Sequence, residues 1–170
     1  LYRLADQNDW SLWETKNDFF WRDLRNNNKL LIKWEIQIAH LTDYIAESKS
    51  PVIGCSIIDP NEYFTCLILK IIKDKAPHKT VIAGGPGCAD LGQRQMLAEE
   101  SQGAIDYFMV GESEQGLLKL VSCLKKGVPP DDIANLVIAS ESLKYEKAII
   151  RPDLNTISFP QFRKFNIALY

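Results

Sequence analysis

From residue 51 onward the chain alternates short, unbroken apolar runs with longer stretches in which apolar positions recur every three or four residues. Val52-Ile53-Gly54-Cys55-Ser56-Ile57-Ile58 is the first run, continuous in the way expected of a parallel strand covered on both faces. Thr80-Val81-Ile82-Ala83 and Ile105-Asp106-Tyr107-Phe108-Met109-Val110 are the second and third. Helical spacing follows each. Asp59 as N-cap, Pro60 at the first helical position and Glu62 as a capping-box partner open a helix that presents Phe64, Leu67, Leu69, Ile71 and Ile72 through Lys75. A weaker helix is predicted over 91–101, and a third over 114–126, stopped by Gly127 and Pro129-Pro130. Three strand–helix pairs joined by short turns predict an α/β fold, a parallel sheet flanked by helices. Leu136-Val137-Ile138-Ala139 and Ala148-Ile149-Ile150, with a polar stretch between them, predict an antiparallel pair at the sheet edge.

Upstream the pattern is helical throughout. Residues 10–25 and 30–48 read as helices separated by the turn signal Asn26-Asn27-Asn28. In the second, Leu30, Leu31, Trp34, Ile38, Leu41 and Ile45 share one face until Ser50-Pro51 ends it. All four tryptophans lie in the first 34 residues, which suggests a docking surface or satellite core. Residues 152–170, with Pro152 and Pro160, read as an extended linker. The expected divisions are therefore 1–50, an aromatic-rich helical region; 51–151, the α/β domain; and 152–170, the linker.

Composition narrows the classes. The chain has 170 residues, 46% apolar and 25% charged, enough hydrophobic material for a core and too much for disorder. A net charge of −2 offers no strong basic field for nucleic acid. No apolar run is long enough to span a bilayer, and no signal peptide is evident. A start at Leu1 rather than Met makes the chain read as a piece of something longer. Cys55, Cys66, Cys88 and Cys123 stand 11, 22 and 35 residues apart, which disfavours a zinc ribbon or a locally encoded iron–sulfur site. They are expected as buried free thiols in a reducing cytoplasm. His40, in a helical pattern, and His78, in a turn, are too isolated to form a metal site or a triad.

Ligands of open parallel sheets bind at the carboxyl ends of the strands. Ser56 closes the first strand, Gly84-Gly85-Pro86 follow the second and Gly111-Glu112 the third, so three unusual strand ends are predicted to share one rim. Each has a plainer explanation: a tight turn at Gly84-Gly85, a local hydrogen bond at Ser56, a helix start at Glu112. Asp106, Glu112 and Glu114 form an imaginable acid–base group, although an isolated carboxylate is most often a cap or a solvated charge. GxGxxG, GxxxxGK[ST] and GxSxG motifs are absent.

The order Gly54-Cys55-Ser56, Asn61, Ile82-Ala83-Gly84-Gly85-Pro86, then Ile105 to Glu114 with Gly111-Glu112-Ser113-Glu114 resembles the cobalamin-binding domain of B12-dependent radical SAM enzymes, a family that includes magnesium-protoporphyrin monomethyl ester cyclases and C-methyltransferases. The match covers about residues 50–162. It implies a Rossmann-like or flavodoxin-like sheet, with Ser56, Gly84, Gly85, Pro86, Gly111 and Glu112 around the cobalamin nucleotide tail and Asn61 near the corrin edge. It implies no histidine below cobalt, because the DxHxxG motif is missing. It further implies a C-terminal radical SAM domain in the same polypeptide, where the [4Fe–4S] cluster and S-adenosylmethionine would reside; no CxxxCxxC occurs here. No catalytic or metal-ligating residue is assigned to the chain itself. The competing expectations are a ligand-free structural or interaction domain of the same fold, and a flavodoxin-like flavin or nucleotide binder.

Overall fold

A computed structural model of the chain describes residues 28–145, with Arg151 and Asp153. The expected helix over 10–25, the strand at 148–150, most of the 152–170 linker and the tryptophan side chains lie outside the described residues. Helix α1 spans Asn28–Glu47 and leads into strand β1, Val52–Ser56. A 3-10 turn at Asp59–Asn61 precedes α2, Glu62–Lys75. Strand β2 is Thr80–Gly84, followed by a second 3-10 turn, Pro86–Cys88, and α3, Leu91–Glu100. Strand β3, Tyr107–Met109, leads to α4, Glu114–Lys126, and β4 is Leu136–Ile138.

The four strands form one open mixed sheet in the order β1-β2-β3-β4, parallel from β1 to β3 and antiparallel between β3 and β4. The protein is thus α/β. Strand β4 pairs antiparallel with β3, with Phe108 opposite Val137, while the pairing expected with 148–150 falls outside the described residues. The physical reason is the connection. Helix α4 and the loop after it return the chain to the carboxyl end of β3, and from there an adjacent strand runs backward.

Side chains alternate between two helical layers, as the twofold repeat of a strand requires. Cys55, Val81, Ala83, Phe108 and Val137 point to one face and pack with Cys66 and Leu69 of α2 and Leu97 of α3. Val52, Ile82, Met109 and Leu136 point to the other and pack with Leu120, Cys123 and Leu124 of α4. Helix α1 lies outside α2, joining Ile38, Leu41 and Ile45 to Ile68 and Ile72. The spacing selects Ile38, Leu41 and Ile45 in α1 and Ile72 in α2, while the buried Ile68 is not among the positions it picks out.

Polar groups anchor the end of the sheet opposite the rim. Lys79 is fully buried, and its ammonium donates to the Ser48 and Ser50 carbonyls, each at 2.6 Å, and to Ser48 Oγ at 3.1 Å. Three acceptors replace its lost water, so the amine ties the end of α1 to the entrance of β2. Lys73 Nζ lies 2.8 Å from Asp106 Oδ2, which also accepts from the Val81 amide at 2.7 Å. Asp106 is therefore at the amino end of β3, a strand length from Glu112 and Glu114. The imagined acid–base trio is not assembled.

Candidate functional site

Parallel register brings the sequence-selected residues to one rim. Ser56 pairs directly with Gly84, and a side chain built on Gly84 would sit 3.7 Å from Met109 Cβ, one step short of the Val110-Gly111 exit from β3. With neighbouring strands about 4.8 Å apart, the rim from Ser56 to Gly111 is about 10 Å wide. Ser56, Pro86, Gly111 and Glu112 are exposed there, and Gly84, Gly85 and Asn61 are partly so. On the face of β1 turned away from α2, Gly54 has open space where a side chain would be. Among the described residues the Ser56 hydroxyl makes no hydrogen bond.

The turn after β1 is built differently from its expected form. Asp59 does not cap α2, because residues 59–61 form a 3-10 turn and the helix proper begins at Glu62. Asn61 supplies the local bonds instead. Its Oδ1 accepts from the Ile58 amide at 3.0 Å and its Nδ2 donates to the Ser56 carbonyl at 3.2 Å. Asn61 thereby closes the end of β1 on itself, which accounts for this side chain without a ligand. Glu62 is buried in the first turn of α2.

Packing explains part of the glycine turn. Gly85 has φ +94°, and a Cβ there would stand 2.8 Å from the Ile57 carbonyl oxygen and 3.0 Å from Ser56 Oγ. At Gly87 a Cβ would meet Ile57 Cγ2 at 2.8 Å. Ile57 is fully buried and has left the strand: its amide donates to the Gly84 carbonyl at 2.7 Å, and its carbonyl accepts from the Gly87 amide at 2.9 Å. Gly85 and Gly87 are thus required by the close approach of the Ile57 backbone. Gly54, Ser56 and Gly84 remain as the part of the rim that local packing does not consume, while Gly111 is favoured by its left-handed backbone, φ +69°.

Three side chains that the sequence reading did not select shape the rim. Arg94, buried on α3, donates from Nη1 to the Cys88 carbonyl at 2.8 Å and the Ala89 carbonyl at 3.0 Å, and from Nε to the Leu143 carbonyl at 2.8 Å. Burial lowers its pKa, with Asp90 and Cys88 opposing the shift. Asn135, also buried, donates from Nδ2 to the Glu112 carbonyl at 2.6 Å, and its own carbonyl accepts from the Val110 amide at 2.8 Å. It holds φ +62°, a left-handed conformation that asparagine tolerates better than most residues. The Tyr145 hydroxyl accepts from the Asn135 amide at 2.9 Å and lies 3.4 Å from Asn135 Oδ1. Arg94 reaches the Cys88 and Ala89 carbonyls 6 and 5 positions back, but its bond to Leu143 and the bonds of Asn135 span 10 to 49 positions, which no local pattern reveals.

The rim is acidic. Asp59, Asp90, Glu112 and Glu114 stand exposed just beyond β1, β2 and β3, while Lys73, Lys75, Lys125 and Lys126 occupy the last turns of α2 and α4. This polarity follows the helix dipoles. It also consumes a potential anion site, because Asp90 itself caps α3 by accepting from the Gln93 amide at 2.8 Å. His40 lies midway along α1 and His78 at the amino end of β2, both exposed, so neither reaches the rim.

Three cysteines distant in sequence converge beneath it. Cys55, Cys66 and Cys88 share one core cluster, and all four cysteines are free. Burial is the main cause pushing each of these three thiols up to about 12; neighbouring thiols add to it at Cys55 and nearby glutamates at Cys66, while Arg94 opposes it at Cys88. Among the described residues no group of three or more His, Cys, Asp or Glu side chains is arranged to hold a metal ion. No described helix is long and apolar enough to cross a membrane. A cavity of about 570 Å³ lies along β4, lined by Pro130, Asp132, Ile133, Val137, Lys144 and Tyr145 among others, to one side of the Ser56–Gly84–Gly111 rim. In comparisons with known proteins, no family model, curated protein or solved structure matched the chain.

Proposed function

We propose that the chain is a cobalamin-binding module with a Rossmann-like sheet, and that its rim presents the corrinoid to a radical SAM domain in the same polypeptide. The observation that supports this reading is the pairing of Ser56 with Gly84 at the ends of β1 and β2, beside the end of β3 two residues before Gly111. Gly54 leaves open space beside β1, where a glycine lets a broad ligand approach the backbone closely. With Asp59, Asp90, Glu112 and Glu114 around the rim, a flavin phosphate or nucleoside polyphosphate is repelled, whereas aquocobalamin carries no net negative charge. The corrinoid supplies the group-transfer chemistry; the chain's residues hold and orient it. His40 and His78 lie away from the rim, so neither would supply an imidazole to a corrinoid held there.

A second reading, a ligand-free structural domain of the same fold, is favoured by one observation: the Ile57 backbone occupies the space beside Gly85 and Gly87. One experiment separates the readings. The purified 170-residue chain is mixed with hydroxocobalamin at 100 µM, a concentration of roughly 100 times a micromolar Kd, and gel filtered, with flavin mononucleotide and ADP in parallel. Retention of the corrin spectrum alone supports the proposal. Folded protein that retains no corrin overturns it in favour of the structural reading, and retention of flavin or ADP overturns it in favour of a nucleotide binder.

A further inference from the structure

Two turns of the rim are separated in sequence by more than twenty residues, yet both are tied to one short piece of chain. Arg94 holds the Cys88 and Ala89 carbonyls with one arm of its guanidinium and the Leu143 carbonyl with another. Tyr145, two residues further on, binds the Asn135 amide through its hydroxyl, and Asn135 holds the Glu112 carbonyl. Residues 143–145 are therefore linked to the glycine turn after β2 through Arg94 and to the Gly111-Glu112 turn after β3 through Asn135.

We propose that Arg94, Asn135 and Tyr145 are positioning residues that make residues 143–145 the common anchor of both turns, so that the two halves of the rim move together and not independently. None of the three needs to touch the ligand. Arg94 is buried and its bonds to three carbonyls are charge-assisted, which makes its geometry costly to distort. Asn135 is held in a left-handed conformation that its side-chain and main-chain bonds jointly enforce. A guanidinium and an amide are suited to this task because each presents several donors in a fixed plane and so fixes directions as well as distances. The consequence for binding rests on the cobalamin reading above. The mechanical coupling does not.

The test compares Arg94→Lys, Tyr145→Phe and the double variant of the full chain by amide hydrogen exchange. Far-UV circular dichroism and melting serve as fold controls. The lysine keeps the charge and loses the fork; the phenylalanine keeps the ring and loses the hydroxyl. The expected result is cross-talk: Arg94→Lys speeds exchange in residues 110–114, which Arg94 does not bond, and Tyr145→Phe speeds it in residues 84–90. Exchange in α2 stays unchanged. If each variant loosens only the turn its own side chain bonds, or if exchange rises uniformly through α2, the anchor is not shared and the proposal fails. Corrin retention supplies a second arm. Each single variant lowers affinity about fivefold, the loss of one hydrogen bond of ordinary strength, and the double variant loses less than the product of the two. Multiplicative losses overturn the coupling. Failure of the unaltered chain to bind corrin overturns the functional reading and leaves the exchange comparison to decide the anchor.

Discussion

The carbonyl oxygen of Ile57 stands 2.8 Å from the position a Cβ would take on Gly85. This contact links the end of β1 to the turn after β2 and gives that glycine a reason independent of any ligand. Gly85 also has φ +94°, so Gly85→Ala is expected to lose about 1 to 3 kcal/mol from backbone conformation, with the collision adding to that. Gly54, whose side-chain space is open, is the contrast: Gly54→Ala is expected to leave stability within about 0.5 kcal/mol. Urea unfolding of both variants checks the pair, and equal losses would contradict the packing account.

Gly116 is the corresponding point on the other face. A Cβ there would overlap the Ala134 carbonyl oxygen and stand 2.9 Å from Met109 Cε, at the place where α4 meets the chain entering β4. Methionine can yield; the carbonyl is backbone and cannot without moving β4. Gly116→Ala is expected to cost about 1 to 3 kcal/mol, the usual range for overpacking, and to be relieved little by Met109→Ala. Melting of the single and double variants reads this directly.

Lys79 should be among the least replaceable charged residues. Lys79→Met keeps the stem in its buried channel and removes the ammonium, leaving the Ser48 and Ser50 carbonyls without the donor they now share. The expected loss is about 2 to 4 kcal/mol, in the range for unmaking bonds to a buried charged group. Lys75, exposed and paired with Asp43 at 2.6 Å, provides the control: Lys75→Met should change stability by less than about 1 kcal/mol. Chemical denaturation distinguishes the two.

The buried thiols predict a direction with pH. Cys55, Cys66 and Cys88 are pushed from 9.0 to about 12 in the folded protein, while an unfolded chain ionises them near the ordinary value. Above pH 9 the unfolded state binds fewer protons than the folded state, so stability falls as pH rises and keeps falling toward 12. Urea midpoints between pH 8 and 10.5 should decline, and Cys88→Ala should flatten the decline. In native protein at pH 8 a thiol reagent should label Cys123, which lies outside this cluster, well before the other three.

How much was legible in the sequence depended on the range of the interaction. The apolar run 52–58 announced a strand, but its last two residues left it, because Ile57 turns its backbone to Gly84 and Gly87, and a run of apolar residues cannot show where pairing stops. Asp59 stood out as the helix cap, yet the bonds of Asn61 to Ile58 and Ser56 hold this turn instead. Spacing alone left the cysteines unclustered; folding puts Cys55, Cys66 and Cys88 in one core, because a parallel sheet with a helix on its face superimposes residues that lie an element apart.

By itself the sequence determined the main described elements and which residues end the strands, since helix and strand periodicities, Gly and Pro punctuation and the position of small residues at strand ends are properties of neighbours along the chain. Only the tertiary structure decided what those residues meet. It placed Asp106 beside Lys73 at the far end of the sheet, paired β4 with β3, and gave Arg94, Asn135 and Tyr145 to the two turns of the rim. The reason is physical: buried polar groups must find partners wherever the fold brings them, and many of those partners are tens of residues away in the chain, where no local pattern in the sequence reaches.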